Sequence, residues 1–303
     1  MLKNNLPHNY ISLGFSCQSK FTIEILENAN DVSMPYDWNV VTKEFVIRSL
    51  KDENGKAFQP SLNELRRLKT SILQKKAVCI NGIWLFHDFE EKGEELLIDL
   101  SAYQNFKDKY SYLWKNFINF VRDDFLQKTF LISNSQENLM KFASSKEDFS
   151  EKFGINTSYI NHLKECLDNL GATNYRFVLL LGDIEEYIEI INSSKLENVT
   201  PYFVGTLSLK NHGAIAELFF NRESEKNIIE QILGKYENGY EIKKYPYDSA
   251  LVYDSNKKVK AVAKSFSNGI VFSFVNGIDT TCHANFLHNQ INFSNKMEWN
   301  KVN

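Results

Sequence analysis

The sequence is poor in the residues that staple, chelate or span. It holds only four cysteines in 303 residues, Cys17, Cys79, Cys166 and Cys282, and no two stand in a C-x-x-C pair. That excludes a zinc ribbon and a thioredoxin-type redox motif. A chain of this length can bury a sizeable core without disulfides, so four thiols in a reducing compartment are expected. No run of 18 apolar residues occurs, which leaves no membrane span to expect. Neither sign of charge dominates: 35 Lys and Arg stand against 38 Asp and Glu, a net of -3. The basic footprint of a nucleic-acid binder is therefore missing. The first eight residues lack the apolar centre of a secretory signal, and the expected location is cytoplasmic. Repeats, low-complexity tracts and Pro/Gly/Ser linkers are absent too. The expectation is one domain over 1–303 with loop insertions, divisible into a functional N-terminal part, 1–128, and a βα part, 129–303.

Hydrophobic residues make up 43% of the chain and aromatics 14%, enough for a packed core. Asn9-Tyr10-Ile11-Ser12-Leu13-Gly14 reads as a strand that stops at a glycine. Ser16 is a candidate N-cap for a helix to about Glu27, which puts Cys17 in its first turn. Pro35 makes Met34-Pro35-Tyr36-Asp37-Trp38-Asn39 an ordered loop. Helices are expected over 42–51 and 103–124. Residues 61–76 read as a basic amphipathic helix, with Leu62, Leu65, Leu68 and Ile72 on one face. Asn81-Gly82 signals a hairpin turn, and 96–100 reads as a strand. Strands over 129–133, 175–182 and 200–205 alternate with helices from 135, over 155–170 and over 184–192. A helix over 223–236 and strands over 250–253, 259–262 and 270–274 follow. This alternation predicts an α/β fold, a mostly parallel sheet flanked by helices, with Cys17 at the turn between the first strand and first helix.

That position distinguishes Cys17 chemically. A helix N-terminus offers unpaired backbone N–H groups and the positive end of the dipole, which favour a thiolate and can hold an oxyanion. The plain alternative is a cysteine packed as a small hydrophobe. A nucleophilic thiol needs a base. Of the six histidines, His87 follows the apolar run Ile83-Trp84-Leu85-Phe86 and precedes Asp88, so it sits at the end of a buried strand. His8, His162 and His212 fall in a tail, a helix surface and a turn. Cys282, His283 and His288 do not have good metal-ligand spacing, and no metal site is expected.

Three segments together resemble a known family. Leu13-Gly14-Phe15-Ser16-Cys17, Pro35-Tyr36-Asp37-Trp38 and His87-Asp88 match, in order and spacing, the L-G-x-x-C, P-[FY]-D-W and H-D pattern of a bacterial family labelled papain-like cysteine peptidases, whose substrate and reaction are not established. The resemblance covers about the first 90 residues. Further on, Lys109-Tyr110 corresponds to an arginine-rich family segment, but this chain has Ser111-Tyr112-Leu113 in place of the arginines. The resemblance implies Cys17 as nucleophile and His87 as its base. The orienting carboxylate stays open between Asp88 and Asp37, with Asp99 behind if 83–89 and 95–100 form a hairpin. For Asp37-Trp38 the plain reading is packing, with Trp38 in the core and Asp37 capping the next helix.

Ser16-Cys17-Gln18 is also similar to the G-N-C-Q signature of capsule-biosynthesis acyltransferases. That resemblance implies Gln18 as an oxyanion ligand and a coenzyme A thioester or acyl sugar as acyl donor; no tightly held cofactor is expected. The expected activity is acyl transfer or hydrolysis by a thiol, on a small-molecule, peptide or glycan substrate, in surface-polysaccharide modification. Gly14, Ser16, Gln18 and Trp38 are the expected substrate contacts. The rival expectation is a non-catalytic binding or assembly module that keeps the motif as structure.

Overall fold

The computed structural model describes residues 8–25, 33–67, 69–72, 75–92, 95–193, 196–204, 226–245, 249–266, 269–274 and 281–302. Strand β1 (His8–Ser12) leads through Gly14 into helix α1 (Gln18–Ile25). The 34–39 loop then enters the two-residue strand β2 (Val40–Val41) and helix α2 (Lys43–Leu50). Thr42 caps α2, its Oγ1 accepting from Phe45 N at 3.2 Å.

Residues 61–76 do not form the single basic helix expected. A short helix α3 (Leu62–Arg67) gives way to strands β3 (Lys69–Ile72) and β4 (Lys75–Ile80). Leu68 lies outside the described residues. Lysine-rich stretches have weak local preference, and here strand pairing decides the outcome. β4 is seated between β3 and β5 (Ile83–Leu85), and β5 also pairs with β2. The turn at Asn81-Gly82 falls where its dipeptide signals, with φ of +47° and +104°. β6 (Glu91–Lys92) and β7 (Glu95–Leu96) make a small hairpin. The strand expected over 96–100 stops at Leu96 because Asp99 caps the long helix α4 (Leu100–Arg122), accepting from Ala102 N at 2.8 Å.

The βα expectation holds through residue 203. β8 (Gln127–Ser133) is followed by α5 (Gln136–Leu139), α6 (Lys146–Phe153) and α7 (Thr157–Asn169). Then come β9 (Tyr175–Leu181), α8 (Ile184–Asn192) and β10 (Val199–Phe203). Four parallel strands pair in the order β1-β8-β9-β10. The apolar runs of β8 and β9 are buried, as parallel strands covered on both faces require.

Past that point the mostly parallel expectation needs correction. After α9 (Lys226–Ile232), eight strands from β11 (Gly234–Lys235) to β18 (Glu298–Asn300) form an antiparallel sheet in sequence order. The cause is connection length. A parallel pair needs a crossover of a dozen or more residues, whereas links such as 254–258 suffice only for hairpins. This sheet has its own aromatic core, including Phe272, Phe293 and Trp299, while Leu251 and Val262 join the main core. The Tyr187 and Ser249 hydroxyls, 3.0 Å apart, add a polar link from α8 to the C-terminal sheet. Among the described residues no helix is long and apolar enough to cross a membrane.

Gly14 sets the path of the first turn. Its φ is +98°, and a Cβ there would overlap Val41 Cγ2. Gly14→Ala is expected to cost about 2–4 kcal/mol in urea unfolding, from backbone strain plus overlap. Gly239, with φ of +83° and nothing within 4 Å of a built Cβ, should lose only about 1–2 kcal/mol on the same change. Equal losses at the two positions would show that the approach to Val41 does not limit the fold.

Candidate active site

The segment carrying Cys17 is held from both sides. Leu13 N donates to Leu131 O at 2.9 Å, and Phe15 N to Ser133 O at 2.9 Å, which ties the turn to the carboxyl end of β8. On the other flank Val41 N donates to Phe15 O at 2.9 Å. Phe15 is fully buried, its ring 5.8 Å from Phe153 and 5.7 Å from Tyr159. Cys17 itself is half-buried, and its carbonyl accepts Phe21 N at 2.9 Å to open the first turn of α1. Ser16 behaves as a cap: its Oγ accepts Gln18 N at 3.4 Å and its carbonyl accepts Ser19 N at 3.3 Å. Both contacts are long, so an incoming oxyanion would compete with weak acceptors.

Gln18 lies inside the fold beside the turn. Its side chain is wholly buried, and its Oε1 accepts from Ser133 Oγ at 2.6 Å. It braces α1 against β8. Ser19 Oγ donates to Gly14 O at 2.7 Å and closes the same turn from behind.

The 34–39 loop lies along α1. Trp38, at φ +63°, packs edge-on against Phe21 with ring centroids 4.8 Å apart. Lys20 Nζ stands 3.6 Å from Asp37 Oδ2. Successive loop residues thus meet successive helix residues, and both helix residues lie one turn beyond Cys17. Positions i, i+3 and i+4 share a helix face, so the loop runs along the face that Cys17 begins. The packing expectation for this motif is corrected in two respects. Tyr36, not Trp38, fills the core, against Phe58 and Phe117. Asp37 does not cap α2, which Thr42 does; its Oδ2 accepts Met34 N at 2.9 Å within the loop.

Asp37 is 6% exposed, and its Oδ1 has no hydrogen-bond partner. Burial pushes its carboxyl up to about 6, against the lowering effects of the Met34 N–H and Lys20.

His87 stands two residues beyond the end of β5 and is exposed. It is bonded to neither oxygen of Asp88. Lys109 Nζ holds Oδ1 at 2.5 Å, and the Tyr110 hydroxyl donates to Oδ2 at 3.1 Å. Tyr110 also accepts from Asn39 Nδ2 at 2.9 Å, so a buried chain joins the 34–39 loop to Asp88 through α4. Burial and the Asp88 charge push the Tyr110 hydroxyl well above its ordinary range. Asp99 is removed as an orienting group because it caps α4. Sequence reasoning missed Lys20, Asn39 and Tyr110 in this network and gave Lys109 no part in it. None lies in a position that local spacing marks.

Burial pushes the Cys79 and Cys166 thiols up. The Cys282 and His283 side chains and the whole of His212 lie outside the described residues. Gly14 shapes the turn by its missing side chain rather than by a polar group of its own. A surface cleft of about 340 Å³ is lined by Arg48, Asp52, Lys56, Gln59 and Glu64, among others, and by none of the candidate residues. At the carboxyl edge of the parallel sheet, Asn134 Nδ2 donates to Glu186, which burial and Asp183 push up to about 8. No protein-family model, curated protein or solved structure matches the chain.

The Asp37 shift has a stability consequence of definite sign. Its folded value, about 6, lies above the ordinary aspartate value of about 4. Its contribution is full below pH ~4 and is lost as pH rises through about 6, because the unfolded chain releases the proton first. The expected loss is about 3 kcal/mol. Urea unfolding between pH 4 and 7 should therefore fall more steeply for the natural chain than for Asp37→Asn. Parallel curves would refute the buried, proton-holding state.

Proposed function

We propose that this protein is a thiol enzyme of acyl transfer or hydrolysis, with Cys17 as nucleophile and His87 as its general base. The supporting observation is convergence. The Cys17 turn, the 34–39 loop and the 85–88 segment are separate in sequence, yet β2 lies between the turn and β5, and the loop runs into β2. Asp37 is the carboxylate with an oxygen to spare, whereas both oxygens of Asp88 are engaged. We therefore assign the orienting role to Asp37. The resemblance of the three motifs to papain-like cysteine peptidases supports the same roles.

In this scheme His87 takes the thiol proton as the Cys17 sulfur bonds to a carbonyl carbon. The bond to the leaving group then breaks, and His87 returns the proton to that group. His87 then takes the proton of an acceptor hydroxyl as its oxygen bonds to the thioester carbon, the C–S bond breaks, and the proton returns to the sulfur to regenerate the thiol. Water as acceptor gives hydrolysis, and a sugar hydroxyl gives transfer. A coenzyme A thioester, a peptide or an acyl sugar are donors of the right chemistry, and modification of surface polysaccharide in a bacterial cytoplasm is the setting the resemblances suggest.

A second reading, a binding or assembly module, draws on one observation. His87 is exposed and the Asp88 bonds are structural. Iodoacetamide labelling with mass mapping separates the two. The enzyme reading expects Cys17 to be alkylated at least tenfold faster than Cys79 and Cys166 near pH 7, and His87→Ala to slow it. Reaction of Cys17 no faster than Cys166 would sink the nucleophile assignment.

A further inference from the structure

Lys20 is the least explained charge in the region. Its side chain is only 7% exposed, and its ammonium has two acidic neighbours, Glu24 at 3.8 Å and Asp37 at 3.6 Å. Neither distance is that of a charge-assisted hydrogen bond, which closes to about 2.7–2.9 Å. Among the described residues the ammonium makes no shorter polar contact. Its counter-ion is equally unspent, since Asp37 Oδ1 is buried without a partner. Taking two charges out of water is costly, and a loose pair recovers little of that cost. A loosely paired cation and a carboxylate with one unpartnered oxygen thus meet one turn along α1 from Cys17. Lys20 follows Cys17 by three residues, a spacing that brings Cβ atoms within about 5–6 Å on a helix.

We propose that Lys20 is a positioning residue for the reaction, supplying the positive charge that holds Cys17 as a thiolate while Asp37 fixes the ammonium in place. This rests on the thiol-enzyme reading above. Lys20 stands one turn along α1 from Cys17, so a cation there favours the charged form of the thiol through space, and the same charge stabilises an anionic tetrahedral adduct. The charged and titratable groups bearing on the pair are Glu24 from α1, Asp37 from the loop and Tyr110 from α4. Of Lys20, Asp37 and Glu24, Glu24 is the most exposed and dilutes the cation least.

The test is the pH profile of Cys17 alkylation by iodoacetamide in the full chain, read by mass mapping, for the natural protein, Lys20→Gln, Lys20→Met and Lys20→Arg. Lys20→Gln and Lys20→Met should each move the inflexion up by about one pH unit, and Lys20→Arg should leave it near its natural place. A merely structural lysine would change melting temperature without moving the inflexion. If Lys20→Gln is folded and its profile overlies the natural one while Cys17 still outpaces Cys79, the Lys20 role is overturned and the nucleophile stands. If Cys17 is slow in the natural protein, the parent reading fails first. Should Lys20→Gln fail to fold, Lys20→Met decides, and an inflexion left in its natural place overturns the proposal.

Discussion

The approach of Gly14 to Val41 is the contact on which the arrangement depends. No side chain fits between them, so the backbone of β2 can come close enough for Val41 N to reach Phe15 O. The same few residues are bonded to β8 on their other side. The turn after β1 is therefore a seam. It joins the edge of the parallel sheet to the small antiparallel sheet of β2 to β5. The connection from the Cys17 turn through β2 to β5 passes through that seam. A shift of β2 away from it would carry Asp37, Trp38 and, through β5, His87 with it.

The seam is also unusually polar. Ser12, Ser16, Gln18, Ser19 and Thr22 are all nearly or fully buried. Most have named partners: Ser19 on Gly14 O, Thr22 on Gln18 O at 2.8 Å, Gln18 on Ser133. Such satisfied neutral groups cost little to bury. They fix the turn without charge and leave the thiol as its half-exposed group. Against that background the loose Lys20–Asp37 pair is the exception. Stability alone would favour either a tight bidentate contact or an apolar pair of the same size.

Much of this was legible in the sequence, and the failures have physical reasons. Strand-Gly-helix at 9–25, the helix starting near residue 42, the Asn81-Gly82 turn and the βα alternation to residue 203 depend on local chemistry, which a few residues carry by themselves. Residues 61–76 differ from the expected single helix because lysines and leucines suit either period, and the pairing of β3 with β4 and of β4 with β5 settles the stretch after Arg67 as strand. Of the eight C-terminal strands only those over 250–253, 259–262 and 270–274 were visible as apolar runs, and their direction lay in the short links between them. In the site, Cys17 and the 34–39 loop could be read from motif spacing. Tyr110 could not, because it meets Asn39 and Asp88 only after α4 folds back across the N-terminal half.

That fold-back divides the work between the two motif carboxylates. α4 brings a cation and a phenol to Asp88, and both of its oxygens are spent on them. The phenol in turn accepts from Asn39, so Asp88 acts on the 34–39 loop from the side opposite α1. The loop is thus held at Asn39 by neutral hydrogen bonds and at Asp37 by an under-satisfied charge. A segment clamped at one end and loosely paired at the other can adjust where it faces the helix without losing its anchor. Substitution of Tyr110 would free the anchored end, whereas substitution of Lys20 would alter only the end beside the thiol. The two carboxylates are therefore not interchangeable, although a motif of single letters makes them look equivalent.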